Sequence, residues 1–116
     1  MTAPNLVHEP ETHETDAVVR VQGELDLSTA ELLRRRIGRA RRASDDARVV
    51  IDLGGVTFVD SAGLCELVRP AVAGCVVTLV RPSDAVRRLI RLAGVEQLFT
   101  TADAVPSSSG PGELAS

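Results

Sequence analysis

The sequence predicts an α/β domain, and three observations carry that prediction. The hydrophobic period switches repeatedly between two and about 3.6 residues, so strand-like and helix-like segments alternate along the chain. The run VVIDL at residues 49–53 is short, apolar and β-branched, the pattern of a central parallel strand. Helix-start signals, Ser28-Thr29-Ala30-Glu31 and Pro82-Ser83-Asp84, follow strand-like runs, the order that right-handed β-α-β crossovers require.

A chain of 116 residues is one domain with one modest core. Its hydrophobic content of 44% rests on Val, Leu, Ala and Ile, with Phe58 and Phe99 the sole aromatics, so aliphatic packing must hold it together. The net charge is −3, and all thirteen basic residues are Arg. Without lysine, Schiff-base and phosphate-gripping lysine chemistry is excluded. The run RRRIGRARR at residues 34–42 reads as a solvated helix face suited to attracting an acidic protein surface. Overall acidity and the lack of exposed aromatics argue against direct nucleic-acid binding. No apolar run reaches the length of a membrane span and no signal-peptide pattern opens the chain, so a soluble, cytoplasmic protein without a membrane partner is expected. Cys65 and Cys75 lie in apolar segments without metal-ligand spacing and read as small, reduced core residues.

Residues 1–15 combine proline, acids, His8 and His13 and are expected to form a mobile leader with a short edge strand at Leu6 and Val7. The domain proper is expected over residues 16–102, and VPSSSGPGELAS places a flexible tail in residues 103–116. AVVRVQG (17–23) is the first strand inside the domain, closed by Gly23. Ser28 then caps a helix whose stripe is Ala30, Leu33, Ile37 and Ala40. VVIDL follows and is broken by Gly54-Gly55. After VTFV a second helix starts near Ser61, with Leu64, Leu67 and Val68 at helical spacing, and Pro70 must end or kink it. CVVTLV (75–80) is the next strand. Ser83 caps a third helix with Val86, Leu89, Ile90 and Ala93 inward, and Gly94 stops it. VEQLF is a last short element, either a strand or a helical turn.

The stretch VTFVDSAGL, residues 56–64, carries the functional question, because it puts a serine where a strand hands over to a helix, beyond the C-terminal sheet edge at which α/β folds bind ligands. A nucleophile elbow needs glycine where Val59 stands, and the only histidines lie in the leader, so nothing is placed to activate the hydroxyl. Two readings remain, a helix cap made by Asp60 or Ser61 and a phosphate acceptor at Ser61, and they are compatible. A phosphoryl group there would meet free N–H donors and the positive dipole end, while Asp60 would concentrate negative charge beside it. Ala62 and Gly63 leave the hydroxyl open. There is no P-loop, no G-x-G-x-x-G and no His/Cys/carboxylate cluster, so no cofactor, metal or catalytic residue is expected and the chain is not expected to be an enzyme.

GELDLSTAELL, VVIDLGGVTFVDSAGL and RPSDAVRRLIRLAGVEQLF together resemble the STAS domain family, specifically its stand-alone bacterial anti-sigma factor antagonists, over residues 16–101. The resemblance implies a mixed β-sheet of four to five strands with helices mainly on one face. It implies partner switching: the unphosphorylated antagonist binds an anti-sigma factor, commonly a serine kinase of the histidine-kinase-like ATPase fold, and phosphorylation ends that binding. The residue matching the phosphoacceptor is Ser61. The matching partner-binding residues are Gly23, Glu24, Leu25 and Asp26 on one segment, and Asp60, Ser61, Ala62, Gly63 and Leu64 on the other. The rival within the family is a STAS scaffold subunit of a signalling or lipid-transport assembly, in which the same turn makes contact without phosphorylation. Two features depart from the family pattern: Pro70 falls inside the helix after Ser61, and the first strand is faint.

Overall fold

The computed structural model describes residues 11–12, 17–44 and 47–105. They form β1 (Glu11–Thr12), β2 (Ala17–Leu25), α1 (Leu27–Ala43), β3 (Arg48–Val59), α2 (Ser61–Val72), β4 (Val76–Val80), α3 (Asp84–Leu92), a 3-10 turn (Glu96–Leu98) and β5 (Phe99–Ala102). The strand expected at Leu6 and Val7, both histidines and most of the expected tail lie outside the described residues.

A single five-stranded sheet runs in the order β1-β2-β3-β4-β5, with β1 antiparallel to β2 and the other four strands parallel. The antiparallel edge is the two residues Glu11–Thr12, within the segment expected as a mobile leader. Each parallel neighbour is reached through one helix, always stepping the same way across the sheet. Right-handed crossovers taken in one direction put every helix on the same face. Accordingly Leu33, Ile37 and Ala40 of α1, Leu64 and Leu67 of α2, and Val86 and Ile90 of α3 share one core with the strands. That core is aliphatic, as the composition requires: Phe99 packs only at its margin and Phe58 is 48% exposed. On the opposite face Val18, Val50 and Val80 form a smaller cluster with Ala102 and Val105.

Several local expectations shift. β3 does not stop at Gly54-Gly55 but continues for twelve residues to Val59. Beyond Asp52 its hydrogen-bonded partner is β2 alone, with register shifts along the pair. The glycines mark close approaches: a Cβ on Gly54 would lie 2.6 Å from Arg81 Nε, and one on Gly55 2.8 Å from Gln22 Cβ. That Arg81 guanidinium is held on the buried Asp52 carboxylate at 2.7 and 2.9 Å. α2 runs two residues past Pro70, which is buried within it. In α3, Val86 and Ile90 are buried, but Leu89 is half-buried and Ala93 is exposed at the C-cap. Cys65 is exposed rather than in the core, and Cys75 is half-buried; both are free thiols. VEQLF divides into the 3-10 turn and the start of β5.

Candidate functional site

The C-terminal ends of β2 and β3 lie side by side, with Glu24 opposite Phe58 and Leu25 opposite Val59. Each strand passes directly into a helix, so the N-termini of α1 and α2 emerge together at one end of the sheet. All nine residues expected at the site fall there. Gly23, with φ of 90°, and Leu25, fully buried, belong to the end of β2 rather than to a loop. Glu24 is exposed, Asp26 half-buried, and Leu64 buried in the core beneath.

The cap of α1 is Asp26, two residues before the serine expected from the sequence. Its Oδ1 accepts the Ser28 N–H at 3.0 Å and the Ser28 hydroxyl at 2.7 Å. In return Thr29 Oγ1 accepts the Asp26 N–H at 3.0 Å, and the Thr29 hydroxyl donates to the Glu24 carbonyl at 2.9 Å. Asp26 wins because a carboxylate is the stronger acceptor for orphan amides and Thr29 can close the ring from the third helical position. The Ser28 hydroxyl, above all, holds the Asp26 carboxyl below its ordinary value.

The cap of α2 is Asp60, whose Oδ1 accepts the Gly63 N–H at 3.0 Å while its carbonyl accepts the Leu64 N–H at 2.9 Å. Its own N–H donates to the Leu25 carbonyl at 3.0 Å, tying the two helix starts together. Gly63 permits this closeness, since a Cβ there would lie 2.4 Å from the Leu25 carbonyl oxygen and 2.7 Å from Leu25 Cβ. With the cap supplied by Asp60, Ser61 is left as the first helical residue. It is exposed, and among the described residues its hydroxyl makes no hydrogen bond. Ala62 beside it is half-buried, too small to screen it.

Two further features of this end were not singled out in the sequence. Leu27 is 80% exposed at the first position of α1, and Phe58 projects half-exposed from β3. Large apolar groups left in water beside a polar turn are what a docking face requires. Behind them, Glu66 of α2 is 4% exposed and grips Arg34 of α1: Arg34 Nε donates to Oε1 at 3.2 Å and Nη2 to Oε2 at 3.0 Å. Arg69 Nε adds a third bond at 3.1 Å. Burial pulls the Glu66 carboxyl upward, but the two arginines outweigh it and hold the group below its ordinary value. No periodicity argument finds such a residue, because a glutamate on a helix is assumed to face water.

Among the described residues no group of three or more His, Cys, Asp or Glu is arranged to hold a metal, and no helix is long and apolar enough to cross a membrane. This end presents an exposed hydroxyl at a helix mouth, unbonded among the described residues, acids at residues 24, 26 and 60, and two apolar projections.

Comparison with known proteins agrees with this geometry. An anti-sigma F factor antagonist of Paenibacillus polymyxa is 29% identical over 105 residues, covering 85% of this chain and 88% of that protein. The crystal structure of an anti-sigma factor antagonist from Mycobacterium paratuberculosis superposes with a TM-score of 0.73 at 31% identity, covering 90% of this chain and 92% of that one. The Bacillus cell fate determinant SpoIIAA in its phosphorylated form shares the fold at a TM-score of 0.59 and 23% identity, over 87% of this chain and 92% of that one. The STAS domain profile matches residues 8–108. With the profile spanning nearly the whole length, the sheet and its one-sided helices in place, and the D-S-x-G turn at the mouth of α2, the chain belongs to the STAS domain family.

Proposed function

We propose that this protein is an anti-sigma factor antagonist that acts by partner switching. Unmodified, it binds an anti-sigma factor with the face formed by residues 23–27, Phe58 and residues 60–64. Phosphorylation of Ser61 ends the complex. The observation that carries this reading is the Ser61 hydroxyl, exposed and unbonded among the described residues while Asp60 does the capping. A serine needed for capping could not be modified without loosening the helix; this one can. Two relatives are antagonists by name, and a third protein of the same fold has been solved in a phosphorylated form; all three support the same reading.

The partner that fits is an anti-sigma factor which is itself a serine kinase of the histidine-kinase-like ATPase fold. It transfers the γ-phosphoryl group of ATP to Ser61 Oγ, so that the bond to ADP breaks, the Oγ–P bond forms, and the hydroxyl proton passes to a base on the kinase. This chain is the acceptor and not the catalyst. The added group brings about −1.5 to −2 charges at neutral pH. The amides at the start of α2 can bind it, so the fold tolerates the change. The surface does not stay the same: Asp60, Asp26 and Glu24 already make it acidic, and a partner that docked against Leu27 and Phe58 now meets concentrated negative charge. Such a switch in transcription control operates in the cytoplasm.

The test is paired capture with Ser61→Ala and Ser61→Asp baits, together with intact-mass analysis after incubation with ATP and candidate kinases. The alanine bait retains an ATPase of this class and the aspartate bait loses it, and the parent chain gains one phosphoryl group that Ser61→Ala does not. Equal capture by both baits, with no modification of the parent by any kinase so captured, overturns the proposal in favour of a scaffold role.

A further inference from the structure

Glu66 is buried and caps none of the three helices, whose caps are Asp26, Asp60 and Ser83, yet it holds three hydrogen bonds from two arginines. We infer that Glu66, gripped by Arg34, is a positioning residue for the switch: it fixes the angle at which the Ser61 turn stands against the start of α1, so that both meet the partner as one surface. This rests on the reading of that face as the partner-binding site.

Three observations lead there. The first is place. Arg34 lies seven residues beyond Leu27 and Glu66 five beyond Ser61, so the tie crosses between α1 and α2 about 8–10 Å below the two helix starts. A pivot of α2 by about 10° at that level moves Ser61 by roughly 1 Å, a displacement that in a docked reaction can cost on the order of a hundredfold.

The second is Pro70. It has no N–H to give to the carbonyl four residues back, which is that of Glu66, and its ring crowds that carbonyl. The helix therefore lacks a rung at the residue whose side chain is clamped. The first turns of α2, bearing Ser61, are less stiffly joined to the rest of the helix than an unbroken ladder would make them, and the Arg34 fork supplies the orientation that the ladder does not.

The third is the chemistry of the tie. A buried ion pair is a poor source of stability, since apolar residues of similar volume do as well or better, whereas a bidentate Arg–carboxylate pair sets direction and distance. Between two helices whose buried leucines, Leu33, Leu64 and Leu67, belong to one aliphatic core, a charged fork is explained by geometry and not by stability. Arg34 is 53% exposed on its side chain, so its guanidinium reaches inward from the rim of the seam.

The test uses the full chain with Arg34→Leu/Glu66→Leu, which fills the seam with apolar bulk, and Arg34→Lys, which keeps charge at an exposed position but loses the fork. Thermal unfolding, amide exchange at Gly63, Leu64 and Cys65, and phosphorylation kinetics with the kinase found above are measured together. The double variant is expected to unfold within a few degrees of the parent, while exchange at those amides rises about tenfold or more. Its KM for the kinase rises by a similar factor and the effect on kcat is smaller. Arg34→Lys lies between the two and unfolds like the parent, so it decides the matter should the double variant fail to fold. Parent-like exchange and KM in Arg34→Lys and in any folded double variant overturn the inference and leave Glu66 a structural pair. If no kinase modifies the parent chain, the proposed function fails, and the exchange measurements alone still decide whether Glu66 positions the turn.

Discussion

Replacing Gly63 by alanine sets two physical effects of opposite sign against each other. Alanine inside a helix is favoured over glycine by about 0.8–1 kcal/mol, so on propensity alone Gly63→Ala stabilises α2. The geometry says otherwise. The new methyl would sit 2.4 Å from the Leu25 carbonyl oxygen and 2.8 Å from its carbon, both backbone atoms at the end of a buried strand that cannot step aside as a flexible side chain would. Forcing a methyl into a filled site costs about 1–3 kcal/mol. If α2 retreats to make room, the Asp60-to-Leu25 hydrogen bond goes with it, a further loss of about 0.5–1.5 kcal/mol. After subtracting the propensity gain, the net is a destabilisation of about 0.5–4 kcal/mol. A control sits in α1, where a Cβ on Gly38 meets only Arg42 Nη1 at 3.6 Å, an ordinary contact with a mobile group. Gly38→Ala should therefore stabilise by about 0.5–1 kcal/mol. Urea titration of both variants and the parent gives the answer from the midpoints, and thermal midpoints should move by roughly 4–8 °C per kcal/mol for a domain near this size. If Gly63→Ala proves as stabilising as Gly38→Ala, the packing of the two helix starts against each other is wrong, and the shape of the proposed partner face is wrong with it.

The other expectations concern the same end of the molecule. Asp60→Ala should lower stability by about 1 kcal/mol through loss of the α2 cap, whereas Ser61→Ala should stay within about 0.5 kcal/mol of the parent because its hydroxyl holds nothing; denaturant midpoints that reverse this order would assign the cap to the serine. Acid should expose the Glu66 tie. Because the folded carboxyl lies below its ordinary value, its stabilisation is complete above the unfolded value near 4.5 and is lost as pH falls through the lower folded value. Glu66→Gln should be less stable than the parent at neutral pH, and the gap should shrink as pH falls below the unfolded value near 4.5; a gap that widens on acidification would contradict the ion-pair geometry. Asp26, also held low, titrates in the same sense in both proteins and so drops out of the difference.

What could be read from the order of residues was whatever physics keeps local. Alternation and helical spacing named the buried positions of α1, Ala30, Leu33, Ile37 and Ala40, because a helix exposes one stripe to the sheet whatever sheet it meets. Ser83 was legible as the α3 cap for the same reason: its Oγ accepts the N–H of Val86 three residues on. The serine at the mouth of α2 was legible too, as a short polar interruption between two apolar runs.

Where several neighbours competed for one role, the folded chain decided. Asp26, Ser28 and Thr29 can each cap a helix, and the Glu24 carbonyl at the end of β2 settled the matter by engaging Thr29. Gly54-Gly55 looked like a strand end, but pairing with β2 carried β3 onward and turned the glycines into clearances for Gln22 and Arg81. Pro70 was expected to end or kink α2, and the helix continues past it to Val72, with Leu67 sealed in the core on one side. Glu66 is the clearest case: a glutamate's burial depends on whether an arginine thirty-two residues earlier in the chain arrives opposite it, and no local pattern encodes that meeting. Sequence alone determined which elements form and where Ser61 falls among them; the tertiary structure decided what each polar side chain holds, because a hydrogen bond needs its partner in place and most of these partners come from another strand or helix.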